Sequence, residues 1–336
     1  MTKDKISIII PTFNRCDLLA EALNSITSQT SPDWEALIVD DGSTDETEKF
    51  VKSLALKEKR ISYHKRERYP KGAATCRNIG LEHASYDYVI FLDSDDLMAP
   101  DCIESRLKAF RANPGCDFIV SQIATFSSSA AKPEYLWNIN NDEDDIYRFI
   151  KLDSVWQTSS VTWRKDSVTI LGGFDENLHC WQDVDIHLRA LVAGFEYNKF
   201  FEAKPDILYR KQNQFSISQQ QINSQEKLQS RIELLFKAYY IADERMDIIK
   251  ELHWMAANVI TSAASGHHFK SAYQLLFNKS VRHMLKIRER FDLLKLLLLH
   301  QFRLERVATG RKIRENITER LLWKNTICQV PVSQIS

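Results

Sequence analysis

The chain has 336 residues, 44% of them hydrophobic and 27% charged, which is ample apolar material for one large or two ordinary domains. Nine Gly and eight Pro exclude collagen-like and low-complexity classes. With 45 Lys+Arg against 45 Asp+Glu, the zero formal charge excludes a nucleic-acid binder that works through its whole surface.

The first hundred residues alternate between strand and helix patterns. ISIII, residues 6–10, is a β-branched run ending at Pro11, as in a buried parallel strand. Asp17 is placed to cap a helix through LLAEALNSITSQ, with Leu18, Ala22, Leu23 and Ile26 on one face. EALIVD is a second strand, and Ser43, Thr44 and Asp45 are capping residues for a helix through ETEKFVKSLAL. ISYHKR is a third strand, KGAATCRNIGLEHA a helix entered through Gly72, and DYVIFLDSDD a fourth strand with an acidic end. This alternation predicts a parallel sheet with right-handed crossovers. Ligands bind such sheets at the carboxyl ends of the strands, which here read PTFN, DDGSTD and DSDD.

Residues 118–164 are less regular. DFIVSQIATF predicts one strand, and NNDEDDIYRF a solvated loop and helix start. A strand, a short helix and a glycine turn then lead to an amphipathic helix from Asp183 to Ala193, and KPDILYRKQNQFSIS is a last strand and tail. From about residue 222 the pattern is purely helical.

The N-terminal apolar run is too short for a signal-peptide core. Apolar runs elsewhere, such as Leu296–Leu299, fall far below the roughly 20 residues of a spanning helix. Six cysteines, at 16, 76, 102, 116, 180 and 328, form no CxxC pair and read as free thiols in a reducing compartment. The expected location is cytoplasmic, with peripheral attachment to the inner face of a membrane as an option.

Three strand ends can carry chemistry. In DSDD, residues 93–96, carboxylates at i and i+2 can place one oxygen on a divalent cation and another near a sugar. Mg²⁺ and Mn²⁺ take hard oxygen ligands and often only one or two protein carboxylates. The plainer alternative is an acidic turn with Asp96 capping the next helix. In VDDGSTD, Asp41 points into the crevice, where it can accept from a base N–H, and Gly42 permits the sharp turn. PTFN offers small polar groups and exposed backbone to a nucleotide, or is an ordinary turn.

Taken together, ISIIIPTFNR, LIVDDGSTD, GAATCRNIG, YVIFLDSDD and LGGFDENLHCWQDVDIHLRALVAG resemble the family-2 inverting glycosyltransferases with the GT-A fold, of the bacterial surface-glycan type. The match covers roughly residues 4–218. The resemblance implies an α/β fold with a mixed, mainly parallel sheet flanked by helices, and a C-terminal helical region. Residues 1–220 would be the nucleotide-sugar-binding catalytic domain and 221–336 a basic amphipathic helical region. It implies a nucleotide-diphospho-sugar donor, most often UDP-linked, a divalent metal (Mn²⁺ or Mg²⁺), hexosyl or N-acetylhexosaminyl transfer to a glycan or lipid-linked acceptor, and inversion at the anomeric carbon.

Position by position, Pro11, Thr12 and Asn14 would line the nucleotide site and Asp41 would contact the uracil. Arg77 would be the basic residue near the nucleotide-sugar. Asp93 would face the ribose and donor sugar with Ser94 beside it, and Asp95 would be the metal ligand. Asp183 would be the general base. The family's usual Glu-Asp is here Gln182-Asp183, and Gln212, Asn213 and Gln214 stand where many relatives carry a histidine. A carboxylate at a helix N-terminus is also the group an acceptor hydroxyl needs, since the dipole lowers its pKa and keeps it ionised. Asp185 reads either as the next candidate or as a first-turn residue favoured by the dipole. Among the aromatic residues, Trp181 is the candidate for stacking on an acceptor sugar.

Residues 281–324 carry 12 Lys+Arg against 5 Asp+Glu among Leu, Ile and Phe. They suit either an anionic bilayer or packing on the catalytic domain or a second copy. Two other functions compete. A sugar nucleotidyltransferase would show a Gly-rich loop and Lys after the first strand, which PTFNRCDLLAEA lacks. A catalytically silent glycan- or nucleotide-binding protein is favoured only by the missing Glu. No nucleic-acid partner is expected.

Overall fold

The structure, a computed structural model, describes residues 4–127, 129–130, 132–137, 139–140, 143–211, 224–242, 245–322 and 330–332. In the first half β1 (Ile6–Thr12), α1 (Cys16–Thr27), β2 (Trp34–Asp40), α2 (Thr47–Lys57), β3 (Ile61–Lys65), α3 (Ala73–His83) and β4 (Tyr88–Phe91) alternate as expected. There follow β5 (Leu97–Met98), α4 (Cys102–Ala112), β6 (Phe118–Ser121), β7 (Ile123–Phe126), β8 (Tyr135–Leu136) and α5 (Asp145–Ile150). Next come β9 (Val161–Arg164), α6 (Lys165–Ile170), α7 (Gln182–Val192), β10 (Tyr197–Phe200) and β11 (Ile207–Arg210).

A seven-stranded sheet runs β10-β6-β9-β4-β1-β2-β3, parallel except for β9, which is antiparallel to both β4 and β6. After β1 the chain steps outward through β2 and β3, then returns to lay β4 on the other side of β1. That reversal is a topological switch point, and it opens a crevice beyond the carboxyl ends of β1 and β4. In β1, Ile6, Ile8 and Ile10 enter one core and Ile9 the other, the period-2 alternation of a strand buried on both faces. A Cβ on Gly80 would lie 2.3 Å from Ile9 Cγ2, so α3 can lie this close to β1 only with glycine there.

Several local expectations are corrected. In α1 the buried stripe is Leu19, Ala22, Leu23 and Ile26, and Asp17 sits in the first turn without capping. Neither Ser43 nor Thr44 caps α2, because Ser43 is drawn to Asp40 and Asn14 and Thr44 to Asn14. DFIVSQIATF is two strands, broken at Gln122, that belong to different sheets. The second sheet runs β12-β8-β7-β11-β5, its β12 being Val330–Pro331, so the C-terminal part is not purely helical. Cys328 lies outside the described residues, and the other five cysteines are free.

The C-terminal helices are α8 (Gln225–Ile241), α9 (Met246–Glu251), α10 (His253–Ser265), α11 (Phe269–Phe277), α12 (Lys279–Met284), α13 (Ile287–Gln301) and α14 (Ala308–Leu321). One apolar cluster runs unbroken from Phe118, Trp156 and Trp163 through α7 into α8, α10, α13 and α14. Leu293, Leu296 and Leu297 of α13 are inside it, so most of the leucine run is core.

His187 of α7 is buried in that cluster, stacked on Trp163 at 5.9 Å, and neither ring nitrogen has a hydrogen-bond partner among the described residues. Burial, aided by repulsion from Arg189, pushes its imidazole down to about 3. A histidine held neutral in the fold but free to protonate near 6.5 when unfolded makes stability fall as pH drops below 6.5. His187→Phe keeps the ring packing and removes the titration. Between pH 7 and 5 the wild type should lose about 2 kcal/mol relative to this variant in denaturant titrations. Parallel pH dependences of the two proteins would show that His187 does not titrate this way.

Candidate active site

The carboxyl ends of β1, β2 and β4 bring PTFN, DDGSTD and DSDD together. Asp41 N–H donates to Thr12 O at 2.9 Å, carrying the β1–β2 register past the strand ends. Asn14, in the left-handed region at φ 50, donates from its backbone to Ser43 Oγ and accepts from Thr44 N–H at 2.7 Å. It therefore braces the two loops. Pro11 is buried within β1. The buried Thr12 hydroxyl has no hydrogen-bond partner among the described residues, a polar group left over at the crevice edge. Asp41 Oδ1 accepts from Arg66, in a close ion pair, and from Gly72 N–H at 3.1 Å.

Each acid of DSDD meets an arginine. Asp93 Oδ1 accepts from Arg77 Nη2 at 2.7 Å and Asp95 Oδ2 from Arg15 Nη1 at 2.8 Å. Asp96 is wholly buried and takes the Arg210 backbone N–H at 3.1 Å and Ser159 Oγ at 3.3 Å. It is not a helix cap, since α4 starts at Cys102 after Asp101. Burial and the neighbouring acids push the Asp96 carboxyl well above the usual carboxylate range. The Asp95 carboxyl also rises, chiefly through burial and then Asp93, against the pull of Arg15. Ser94 is buried between them. Arg210 further donates from Nε to Asp95 O at 3.0 Å and from Nη2 to Glu21 at 2.6 Å, fastening the loop from outside.

Arg77 links this loop to α7. Its Nη2 holds Asp93, its Nη1 donates to Gln182 Oε1 at 3.0 Å, and its guanidinium lies 5.0 Å from the Phe174 ring centroid. Gln182 thus keeps the bond a glutamate could make while removing one negative charge. Asn78, one residue on, accepts from Phe174 N–H and donates to Phe174 O, which pins the glycine turn against α3. At Gly173, φ is +67 and a Cβ would meet Asn78 Oδ1 at 2.5 Å.

Helix α7 begins after Trp181, itself left-handed at φ 58, so Asp183 is a first-turn residue and not the N-cap. Burial pushes the Asp183 carboxyl up, and the Val184 N–H and then Arg77 only partly offset it. The expectation that the helix end would lower this pKa is corrected by desolvation. Asp185 is buried, held by Arg189 at 2.7 Å and Lys237 at 2.6 Å, and ties α7 to α8. Trp156 and Trp163 are core, whereas Trp181 is half-buried with Arg231 5.3 Å from its ring.

The structure therefore gathers Thr12, Asp41, Arg77, Asp93, Asp95 and Asp183 at one edge. Gln212, Asn213 and Gln214 lie outside the described residues. Sequence reasoning missed Arg15, although it follows PTFN directly, because its partner is 80 residues away.

Residues 7–169 match the family model described as Glycosyl transferase family 2. An uncharacterized glycosyltransferase of Rickettsia felis is 39% identical over 138 residues, covering 41% of this chain and 22% of the relative. The GalNAc(5)-diNAcBac-PP-undecaprenol beta-1,3-glucosyltransferase of Campylobacter jejuni is 38% identical over 111 residues, covering 33% and 35%. This chain thus spans about a fifth to a third of the length of these relatives. Among solved structures, residues 1–349 of S. aureus TarS with UDP-GlcNAc superpose with a TM-score of 0.63 at 18% identity, covering 95% and 93% of the two chains. The mannosyltransferase PcManGT of Pyrobaculum calidifontis, with GDP-Man and Mn²⁺, gives 0.51 at 17%, covering 88% and 87%. These likenesses show the GT-A fold.

Proposed function

We propose that the chain, whose residues 7–169 match the model of glycosyl transferase family 2, is a transferase of that family and moves a sugar, with inversion, from a UDP-sugar to a hydroxyl of a glycan or lipid-linked acceptor. The observation that supports this reading is the Arg77 bridge: one guanidinium holds Asp93, which we assign to the donor, and Gln182, whose neighbour Asp183 we assign to the acceptor. The bound UDP-GlcNAc of TarS supports the donor class, and the undecaprenol-linked substrate of the Campylobacter relative supports a lipid-linked acceptor. We read residues 1–220 as the catalytic unit and 221–336 as an appended region, with the enzyme peripheral at the cytoplasmic face of a membrane.

In this reading Thr12 and Asp41 bind the nucleoside, Asp41 through Oδ2, since its recorded bonds are all to Oδ1. Arg77 and Asp93 hold the donor sugar and diphosphate. Asp183 takes the acceptor proton as its oxygen attacks the anomeric carbon, and burial makes this carboxylate a stronger base. Among the described residues no group of three or more His, Cys, Asp or Glu is arranged to hold a metal. Asp95, a hard oxygen donor at the crevice, still fits a cation that draws its other ligands from diphosphate and water. Mn²⁺ or Mg²⁺ bound there would neutralise the departing diphosphate. Arg15, the present partner of Asp95, would then be free to turn to a phosphate oxygen.

The direct test is release of UDP from a panel of UDP-sugars, read beside thermal stabilisation. A ligand at 100 times its dissociation constant adds about 2.7 kcal/mol. Neither stabilisation nor UDP release with any sugar would overturn the reading. Asp95→Ala should weaken UDP-sugar binding only when Mn²⁺ or Mg²⁺ is present, whereas Asp41→Ala should weaken it with or without metal. Calorimetry showing equal losses for Asp95→Ala in both conditions would remove Asp95 as a ligand.

A further inference from the structure

Helix α13 is apolar on two opposite sides. Leu293, Leu296, Leu297 and His300 are buried in the helical core. Yet Ile287, Phe291, Leu298 and, at the helix end, Phe302 are 65%, 60%, 40% and 63% exposed. At 100° per residue these four fall within about 60° of arc and extend over about 22 Å of helix. Exposed Leu304 and Val307 continue the apolar surface through the turn into α14.

Cations surround the stripe. Arg288 and Lys295 lie on α13 beside it, and Arg282, Lys286, Arg303 and Arg311 are exposed before and after it. The ion pair recorded in this stretch, Arg320 to Asp292 at 3.0 Å, involves none of them. An exposed contiguous apolar patch marks an interaction site. A water-facing stripe of Phe, Ile and Leu flanked by Arg and Lys matches a surface with an apolar interior and anionic headgroups.

We propose that the outward stripe of α13, with its flanking arginines and lysines, docks on an anionic lipid bilayer. The inference rests on the lipid-linked acceptor reading and deepens it by naming the element that holds the enzyme at the acceptor's surface. A second copy of the chain is the competing occupant. Two equally basic stripes facing each other would repel, whereas anionic headgroups neutralise them.

Vesicle flotation tests the proposal, comparing phosphatidylcholine alone with an equimolar mixture of phosphatidylcholine and phosphatidylglycerol. The full chain should float with the anionic vesicles at low salt, stay behind with the neutral ones, and be released as salt screens the charges. Phe291→Ser/Phe302→Ser should weaken binding at least tenfold, and Arg288→Gln/Lys295→Gln should weaken it and flatten the salt dependence. Because all four side chains are exposed, both variants should fold and keep the wild-type affinity for a UDP-sugar. The proposal fails if the wild type ignores anionic vesicles at low salt, or if the phenylalanine variant binds them as well as the wild type. It fails equally if sedimentation shows a dimer that the phenylalanine variant dissolves. Loss of UDP-sugar binding by the wild type would instead count against the transferase reading, because flotation reads the surface without any donor.

Discussion

Asp183→Asn should lower turnover by roughly 10²–10⁴, the usual contribution of a general base, while donor affinity stays within a few fold. The carboxylate belongs to the first turn of α7, beyond the Arg77 bridge to Asp93, and the proposed reading assigns it to the acceptor and not to the nucleotide. Asn is nearly isosteric, and the helix starts without a side-chain cap, so stability should barely change. The pH profile gives a second readout. A base must be ionised, and burial holds this carboxyl above its ordinary range. Wild-type activity should therefore fall on the acid side at a pH above the usual carboxylate pKa, and the residual activity of Asp183→Asn should lack that limb. Asp185 offers no substitute, because its carboxylate is buried between Arg189 and Lys237. Near-normal turnover of Asp183→Asn on its true acceptor would remove the residue from the mechanism. Gln182→Glu would add a carboxylate to the Arg77 guanidinium and draw charge away from Asp93.

What could be read from the sequence follows burial. Strands hidden on both faces, such as Ile6–Thr12 and Tyr88–Phe91, show as β-branched or aromatic runs, and the acids at their ends stand out against them. Of the counter-ions only Arg77 is marked, by its place in the GAATCRNIG motif; nothing local distinguishes Arg15 or Arg210 from a solvated cation. Their partners lie 80 and 115 residues away. The break at Gln122 was hidden for a related reason: the strands on either side are equally apolar and differ only in which sheet they join. In α13 apolar residues occupy two faces, so periodicity alone could not separate core from surface. At Asp183 the helix end was visible in sequence, while the desolvation that outweighs it comes from tertiary packing.

The largest stability effect should come from a pair that no motif marks. Arg106 of α4 is 0% exposed and donates to both carboxylate oxygens of Asp206 at 2.7 Å, and to Ser159 O and Thr162 Oγ1 at 3.0 and 3.1 Å. Asp206 opens β11, and its backbone ties Gln122 at 3.0 Å to Ala99 at 2.8 Å. Four residues later the Arg210 N–H holds Asp96. Arg106→Met leaves a carboxylate buried without its cation, and breaking a buried pair in this way costs about 3–5 kcal/mol. Removing both charges with Arg106→Met/Asp206→Leu should recover much of that loss, since the expensive state is the unpaired charge and not the absent bridge. The single variant should also bind UDP-sugar more weakly, because the same strand end fastens DSDD. Denaturant unfolding of the wild type, Arg106→Met, Asp206→Leu and the double variant checks the order. A single variant within 1 kcal/mol of wild type, or a double variant destabilised by the sum of both singles, would mean that the pair contributes as two independent surface charges would, against the burial that isolates it.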